Sequence, residues 1–101
     1  MSIDTALGLP FNIASTSLLL HIIAKLTNLE ANNVILTLGD CHLYEQHMEK
    51  FERQLSRIPY QFPKLKLPEF KTIEEVEKST LEEYVITEYE HYKGIKAEMV
   101  A

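Results

Sequence analysis

The stretch GLPFNIAS, residues 8–15, decides how this chain reads. Gly8 and Pro10 break whatever precedes them, and Asn12 or Ser15 then stands where a helix cap is expected. Pro10 suits the first turn of a helix, where its missing N–H has no bond to lose. The next segment is apolar nearly all round: Ile13, Leu18, Leu19, Leu20, Ile22, Ile23 and Leu26. A helix without a polar face is a buried one. A chain of 101 residues has difficulty wrapping such a helix completely, so the segment expects further protein around it.

On the N-terminal side, SIDTAL (residues 2–7) alternates weakly, in the manner of a short strand. On the other side, NLEANN (28–33) is a turn, and VILTL (34–38) is a short apolar, β-branched run of the kind found in buried strands. Gly39 and Asp40 end it. Over residues 43–57 the apolar positions Leu43, His47 or Met48, Phe51 and Leu55 recur at spacings of three and four, an amphipathic helix. Glu49 lies four before Arg53, and Arg53 four before Arg57, which reads as a solvated charged face. KLKL (64–67) alternates like a strand among three prolines, IEEVEK (73–78) is a short helix, and residues 80–83 are a polar break. YVITEYEHY (84–92) alternates and is aromatic and β-branched, a strand. No repeat or interdomain linker is evident. The expectation is one unit over residues 1–101, of mixed α and β class (α+β).

The bulk numbers narrow the functions. A net charge of −5 and a pI near 5.3 argue against a nucleic-acid binder, which presents a basic face. The single cysteine excludes an intrachain disulfide framework and suits a reducing compartment. The longest apolar run, Leu18–Ala24, is interrupted by His21 and is short of a membrane span. With no basic cluster in the first residues, no signal peptide is expected, and the cytoplasm is the default location.

Candidate chemistry concentrates at GDCHLY, residues 39–44, just after the VILTL run. Polar groups at the C-terminal end of a buried strand often line a site. Asp40, His42 and Tyr44 offer an acceptor, a two-way imidazole and a hydroxyl, a set that suits a sugar hydroxyl. Cys41 beside His42 suggests an activated thiol, but neighbours on a strand point to opposite faces, so the plainer reading is a small buried cysteine. A metal site from Asp40, Cys41, His42 and His47 lacks CxxC or HExxH spacing, and no metal is expected. His21, within the apolar helix, reads as a core histidine with its bonds satisfied.

The segments LGLPFNIAS and LGDCHLYEQH, in that order, together with QFPKL and the ending GIKAEMVA, are long and specific. Through them the sequence resembles the C-terminal portion of thymidylate synthase, over essentially its whole length. The resemblance implies the C-terminal part of that fold, with a buried central helix and mixed β-sheet. It implies reductive methylation of dUMP to dTMP, with 5,10-methylenetetrahydrofolate as co-substrate. The asparagine of PFN reads the pyrimidine ring in this family, and here it is Asn12. Aspartate at that position accompanies deoxycytidylate, so Asn12 favours uracil. The histidine and tyrosine of D-x-H-x-Y hold the deoxyribose 3′-hydroxyl, here His42 and Tyr44. Ser2 matches the phosphate-contacting serine of R-S-x-D, and Asp4 its aspartate, which lies by the folate. Leu7, Gly8 and Phe11 fall where the folate wall is built. Ala101 takes the place of the C-terminal residue that closes over the ligands, usually a larger aliphatic one.

The departures are equally specific. The family nucleophile sits in a P-C-H motif upstream of R-S-x-D, and these residues contain no such motif. Cys41 occupies a variable position and does not replace it. Met1 stands where a phosphate-binding arginine precedes the serine, and Arg53 and Arg57 match none of the phosphate arginines. The expectation is therefore a chain that supplies base, ribose and folate contacts without the nucleophile. It would need the N-terminal half of a synthase, from a split or interrupted gene, and a homodimer mate. The alternative is a non-catalytic remnant acting as a nucleotide-binding or interaction module.

Overall fold

The computed structural model describes residues 2–99; Ala101, expected to close the site, lies outside them. Its elements run in order β1 (Ser2–Asp4), α1 (Leu9–Leu26), β2 (Asp40–His42), a 3-10 turn (Glu45–His47), α2 (Met48–Leu55), β3 (Lys64–Lys66), α3 (Ile73–Lys78), a second 3-10 turn (Leu81–Glu83) and β4 (Val85–Thr87). The class is α+β, as expected. The strands form two separate pairs: β1 with β2 in parallel, and β3 with β4 antiparallel.

The first pair sets everything near the N-terminus. Ser2 lies opposite Asp40, Ile3 opposite Cys41 and Asp4 opposite His42. Parallel neighbours cannot be joined by a hairpin, and the crossover here runs through α1. Thr5 N donates to His42 O at 2.8 Å and prolongs the pairing by one residue.

Helix α1 starts earlier than the cap reading predicts. Gly8 occupies the cap position without a side-chain bond, and Pro10 lies in the first turn. Asn12 is already inside the helix, its N–H donating to Gly8 O at 3.0 Å, so neither Asn12 nor Ser15 is the cap. At the other end Asn28 takes a left-handed φ of 57°, a conformation asparagine tolerates better than most residues. Leu29 N then reaches Ala24 O at 2.8 Å, closing the last turn in a Schellman arrangement. Lys25 in that turn donates to Pro68 O at 2.8 Å and lies over the Phe70 ring, which pins the segment after β3 to the helix.

The four expected strands are each shorter or absent: SIDTAL is a strand only over Ser2–Asp4 and KLKL only over Lys64–Lys66. The run 34–38 joins no ladder among the described residues, although its burial alternates: Val34, Leu36 and Leu38 are half-covered, while Ile35 is 88% exposed. It has the period of a strand without a partner to bond. The YVITEYEHY strand ends at Thr87, because Glu88 turns to a φ of 57° and carries the chain out of the ladder. By contrast α3 matches its expected bounds, with the Thr72 hydroxyl accepting from Glu75 N at 3.2 Å.

The helix expected to be buried is covered only in part within this chain. Among α1 residues Ala24 alone is buried, and Phe11, Ile13, Leu19 and Ile23 are exposed. Buried hydrophobic residues among those described are Ile3, Ala24 and Phe70. The radius of gyration is 16.3 Å, against about 13 Å for a compact chain of this length. His21, expected to be a satisfied core residue, is exposed on the same helix. By length and composition α1 is also sufficient to cross a membrane, where the apolar run alone reads as too short. An apolar face this wide, left in water, recruits other apolar surface. In isolation the chain is expected to self-associate and to bind a hydrophobic dye. Sedimentation equilibrium checks this: a monodisperse monomer with a cooperative melt would contradict it. Leu19→Glu with Ile23→Lys should lower the apparent mass without loss of helical circular dichroism.

Candidate functional site

The site grows from the β1–α1 turn. Gly8 N donates to Asp4 O at 2.9 Å, so the chain reverses within four residues. A Cβ placed on Gly8 would stand 3.0 Å from Asp4 O and 3.5 Å from Asp4 N. The first is tighter than an ordinary contact and to a backbone atom, so the turn favours glycine. Its φ of −92° is ordinary, which makes the preference one of space. The Asp4 carboxylate folds back to accept from Ala6 N at 3.1 Å and stiffens the same turn.

Across the strand pair from Asp4 stands His42. Its Nδ1 lies 3.6 Å from an Asp40 carboxylate oxygen, and its ring meets Tyr44 edge to face with centroids 5.3 Å apart. Tyr44 in turn meets His47 edge to face at 6.0 Å. Asp40, His42, Tyr44 and His47 thus form one continuous polar-aromatic row along β2 and the turn after it. Edge-to-face contacts fix ring orientation as well as proximity. The three groups expected to serve a sugar hydroxyl are together and half-exposed or exposed.

Around the turn the other expected residues divide. Leu7 and Phe11 line a groove of about 550 Å³ whose far wall is built from Phe51, Tyr60, Tyr92 and Ile95. Phe11 is 75% exposed into solvent there. Ser2 is exposed at the start of β1, opposite Asp40. Asn12 is half-buried on the first turn of α1, and among the described residues its carboxamide makes no hydrogen bond. With no capping to do, that amide has its donor and acceptor available.

Several side chains are placed differently from expectation. Cys41 is exposed, not buried, and its Sγ lies 3.2 Å from the Thr5 hydroxyl, on the opposite face of β2 from His42. Among the described residues its hydrogen-bond partner is that hydroxyl and no base. Arg57 is not a solvated charge: it donates to Lys93 O at 3.0 Å and lies over the Tyr92 ring. Glu49 and Arg53 form no ion pair among the described residues. Among those residues no group of three or more His, Cys, Asp or Glu side chains could hold a metal ion. His47 is the residue the pattern leaves undecided. Either it or Met48 could face inward, and the structure buries His47 to 1% exposure while Met48 stays out.

The sequence model described as Thymidylate synthase matches residues 1–101. The chain belongs to the thymidylate synthase family. It is 46% identical over 96 residues to thymidylate synthase of Mycoplasma mobile, covering 95% of this chain and 33% of that protein. It is 43% identical over 101 residues to the bifunctional dihydrofolate reductase-thymidylate synthase of Plasmodium berghei, covering 99% of this chain and 17% of that one. Among solved structures it matches thermostable thymidylate synthase A from Bacillus subtilis with a TM-score of 0.87 and 30% identity, over 97% of this chain and 34% of that one. The chain therefore spans about a third or less of the length of these relatives. Coverage of 97% takes in helix α1, so the helix is an element of the family fold despite its apolar length.

The tight turn and the aromatic wall can each be probed. Gly8→Ala should destabilise the thymidylate synthase fold by about 1–3 kcal/mol, the range for forcing extra volume into a tight site, read as a lower thermal midpoint. Tyr60 stacks on Tyr92 with centroids 4.6 Å apart. Loss of water around its hydroxyl, then the adjoining Tyr92 and Glu90, hold its pKa above the ordinary tyrosine value. The neutral phenol is the favoured form, so its contribution is present below the ordinary pKa and is lost as pH rises through the raised one. Alkaline absorbance titration should show a late-ionising tyrosine that disappears in Tyr60→Phe.

Proposed function

We propose that these residues form the part of a thymidylate synthase that recognises dUMP and folate, in a cytoplasmic homodimer whose nucleophile comes from the P-C-H segment. The observation that supports this reading most is the β1–β2 register. It sets Asp4 against His42 under the Gly8–Asn12 turn, so residues matched separately to the nucleotide and to the folate gather around one turn.

In this reading a cysteine thiolate adds to C6 of the pyrimidine and makes C5 nucleophilic. Methylenetetrahydrofolate supplies both the one-carbon unit and the hydride, leaving dTMP and dihydrofolate. The Asn12 carboxamide donates to uracil O4 and accepts from N3–H, a pairing that only an amide of one orientation makes. His42 and Tyr44 hold the 3′-hydroxyl, with Asp40 at 3.6 Å orienting the imidazole. Ser2 contacts the phosphate. Leu7 and Phe11 face the folate rings across the groove, Gly8 lets the backbone come close, and Asp4 lies beside them.

The test is complementation. The chain is mixed with a polypeptide carrying the P-C-H half, and dTMP formation from dUMP and methylenetetrahydrofolate is assayed. Activity is expected in the mixture and absent from the chain alone. Asn12→Asp should lower kcat/KM for dUMP at least about tenfold, since one mispaired polar contact costs about 1–3 kcal/mol. Activity without the second half, or unchanged dUMP turnover in Asn12→Asp, would overturn the assignment. Binding of dUMP without turnover in the mixture would favour the remnant module instead.

A further inference from the structure

The most buried polar side chain among the described residues belongs to none of the roles above. His47 closes the 3-10 turn after Tyr44 and occupies the position before α2, with its N–H donating to Tyr44 O at 2.9 Å. Its ring is 1% exposed. Nε2 lies 2.6 Å from Glu98 O, an atom 51 positions away in sequence. A carbonyl oxygen only accepts, so Nε2 carries the proton and donates. Nδ1 is buried and has no hydrogen-bond partner among the described residues.

That asymmetry identifies what the imidazole is for. A leucine or phenylalanine would fill the same space without burying an unpaired nitrogen. One nitrogen is left unsatisfied while the other makes a short bond to the C-terminal segment. The ring also meets Tyr44 edge to face at 6.0 Å and lines the groove that Leu7 and Phe11 enter. On the same side Arg57 holds Lys93 O at 3.0 Å and the Tyr92 hydroxyl donates to Ile58 O at 2.8 Å. The stretch 88–99 forms no helix or ladder among the described residues. Its backbone is therefore held by such side-chain bonds, and the His47 bond is the one nearest its end.

We propose that His47 is a positioning residue: its Nε2–H tethers the C-terminal segment at Glu98 to the Tyr44 turn, so that the tail and the sugar-contacting row move as one body. The tether stands on the geometry alone. Its consequence, a tail held in register over the folate groove, rests on the function proposed above.

The experiment needs no catalysis. In the 101-residue chain, ring-nitrogen NMR of His47 is expected to show Nε2 protonated, with a slowly exchanging proton. The heteronuclear 1H–15N NOE over Ile95–Met99 should fall in His47→Phe, which keeps the ring and loses the donor, and stay near the parent's in His47→Gln, whose amide donates at a similar reach. A ring protonated at Nδ1 alone, an unchanged NOE in His47→Phe, or an equal fall in both variants would overturn the tether. None of these readouts changes if the chain proves to have no part in dTMP synthesis.

Discussion

Everything around the site depends on one non-local constraint, the parallel pairing of β1 with β2. Three residues on each side are joined across a connection that contains all of α1. Parallel strands carry evenly spaced, slanted bonds and need a crossover, so the position of the helix and the register of the strands are set together. Once Asp4 is opposite His42, the chain has only the residues up to Gly8 in which to reverse into the helix. The reversal brings Gly8 so close to the Asp4 backbone that an added Cβ would stand only 3.0 Å from Asp4 O.

That pairing divides the labour between two edges. One carries a row of aromatic and imidazole rings from His42 to His47, locked by edge-to-face contacts. The other carries an apolar groove shared between the first turn of α1 and the C-terminal stretch. His47 belongs to both, because the same ring touches Tyr44 and bonds Glu98. Lys25 plays a comparable part at the far end of α1, where its stem and charge hold Pro68, Glu69 and Phe70. The exposed pair with Glu69 adds little by itself; the bond to the Pro68 carbonyl and the aromatic contact do more.

Much of this is legible in the residues. IEEVEK gives a capped helix at its expected bounds, because the cap and the first-turn acids act locally. KLKL supplies a strand, and the period of the apolar residues locates α2. The site residues Asn12, His42 and Tyr44 are named by the family motifs that contain them, while composition alone stops at a polar turn. The pattern misleads where partners decide. VILTL has the period of a buried strand, yet no neighbour among the described residues bonds it, and Ile35 faces water. YVITEYEHY is cut short by a single left-handed residue, Glu88, which no propensity marks. Asn12 reads as a cap from its residue type, yet the helix begins three residues earlier with Gly8 at the cap position.

Side-chain type and order are enough for the family, the helix with no polar face, the glycine at the turn, and the absence of a P-C-H motif within these residues. Those are local or linear properties, present before any segment meets another. Folding alone settles that Asp4 faces His42, that Cys41 meets the Thr5 hydroxyl, that Arg57 holds a carbonyl instead of solvent, and that His47 rather than Met48 turns inward. Each of these depends on a contact between segments 36 to 51 residues apart. Such contacts form where loop-closure entropy is overcome by pairing and packing, and no periodicity in the chain records which partners will meet.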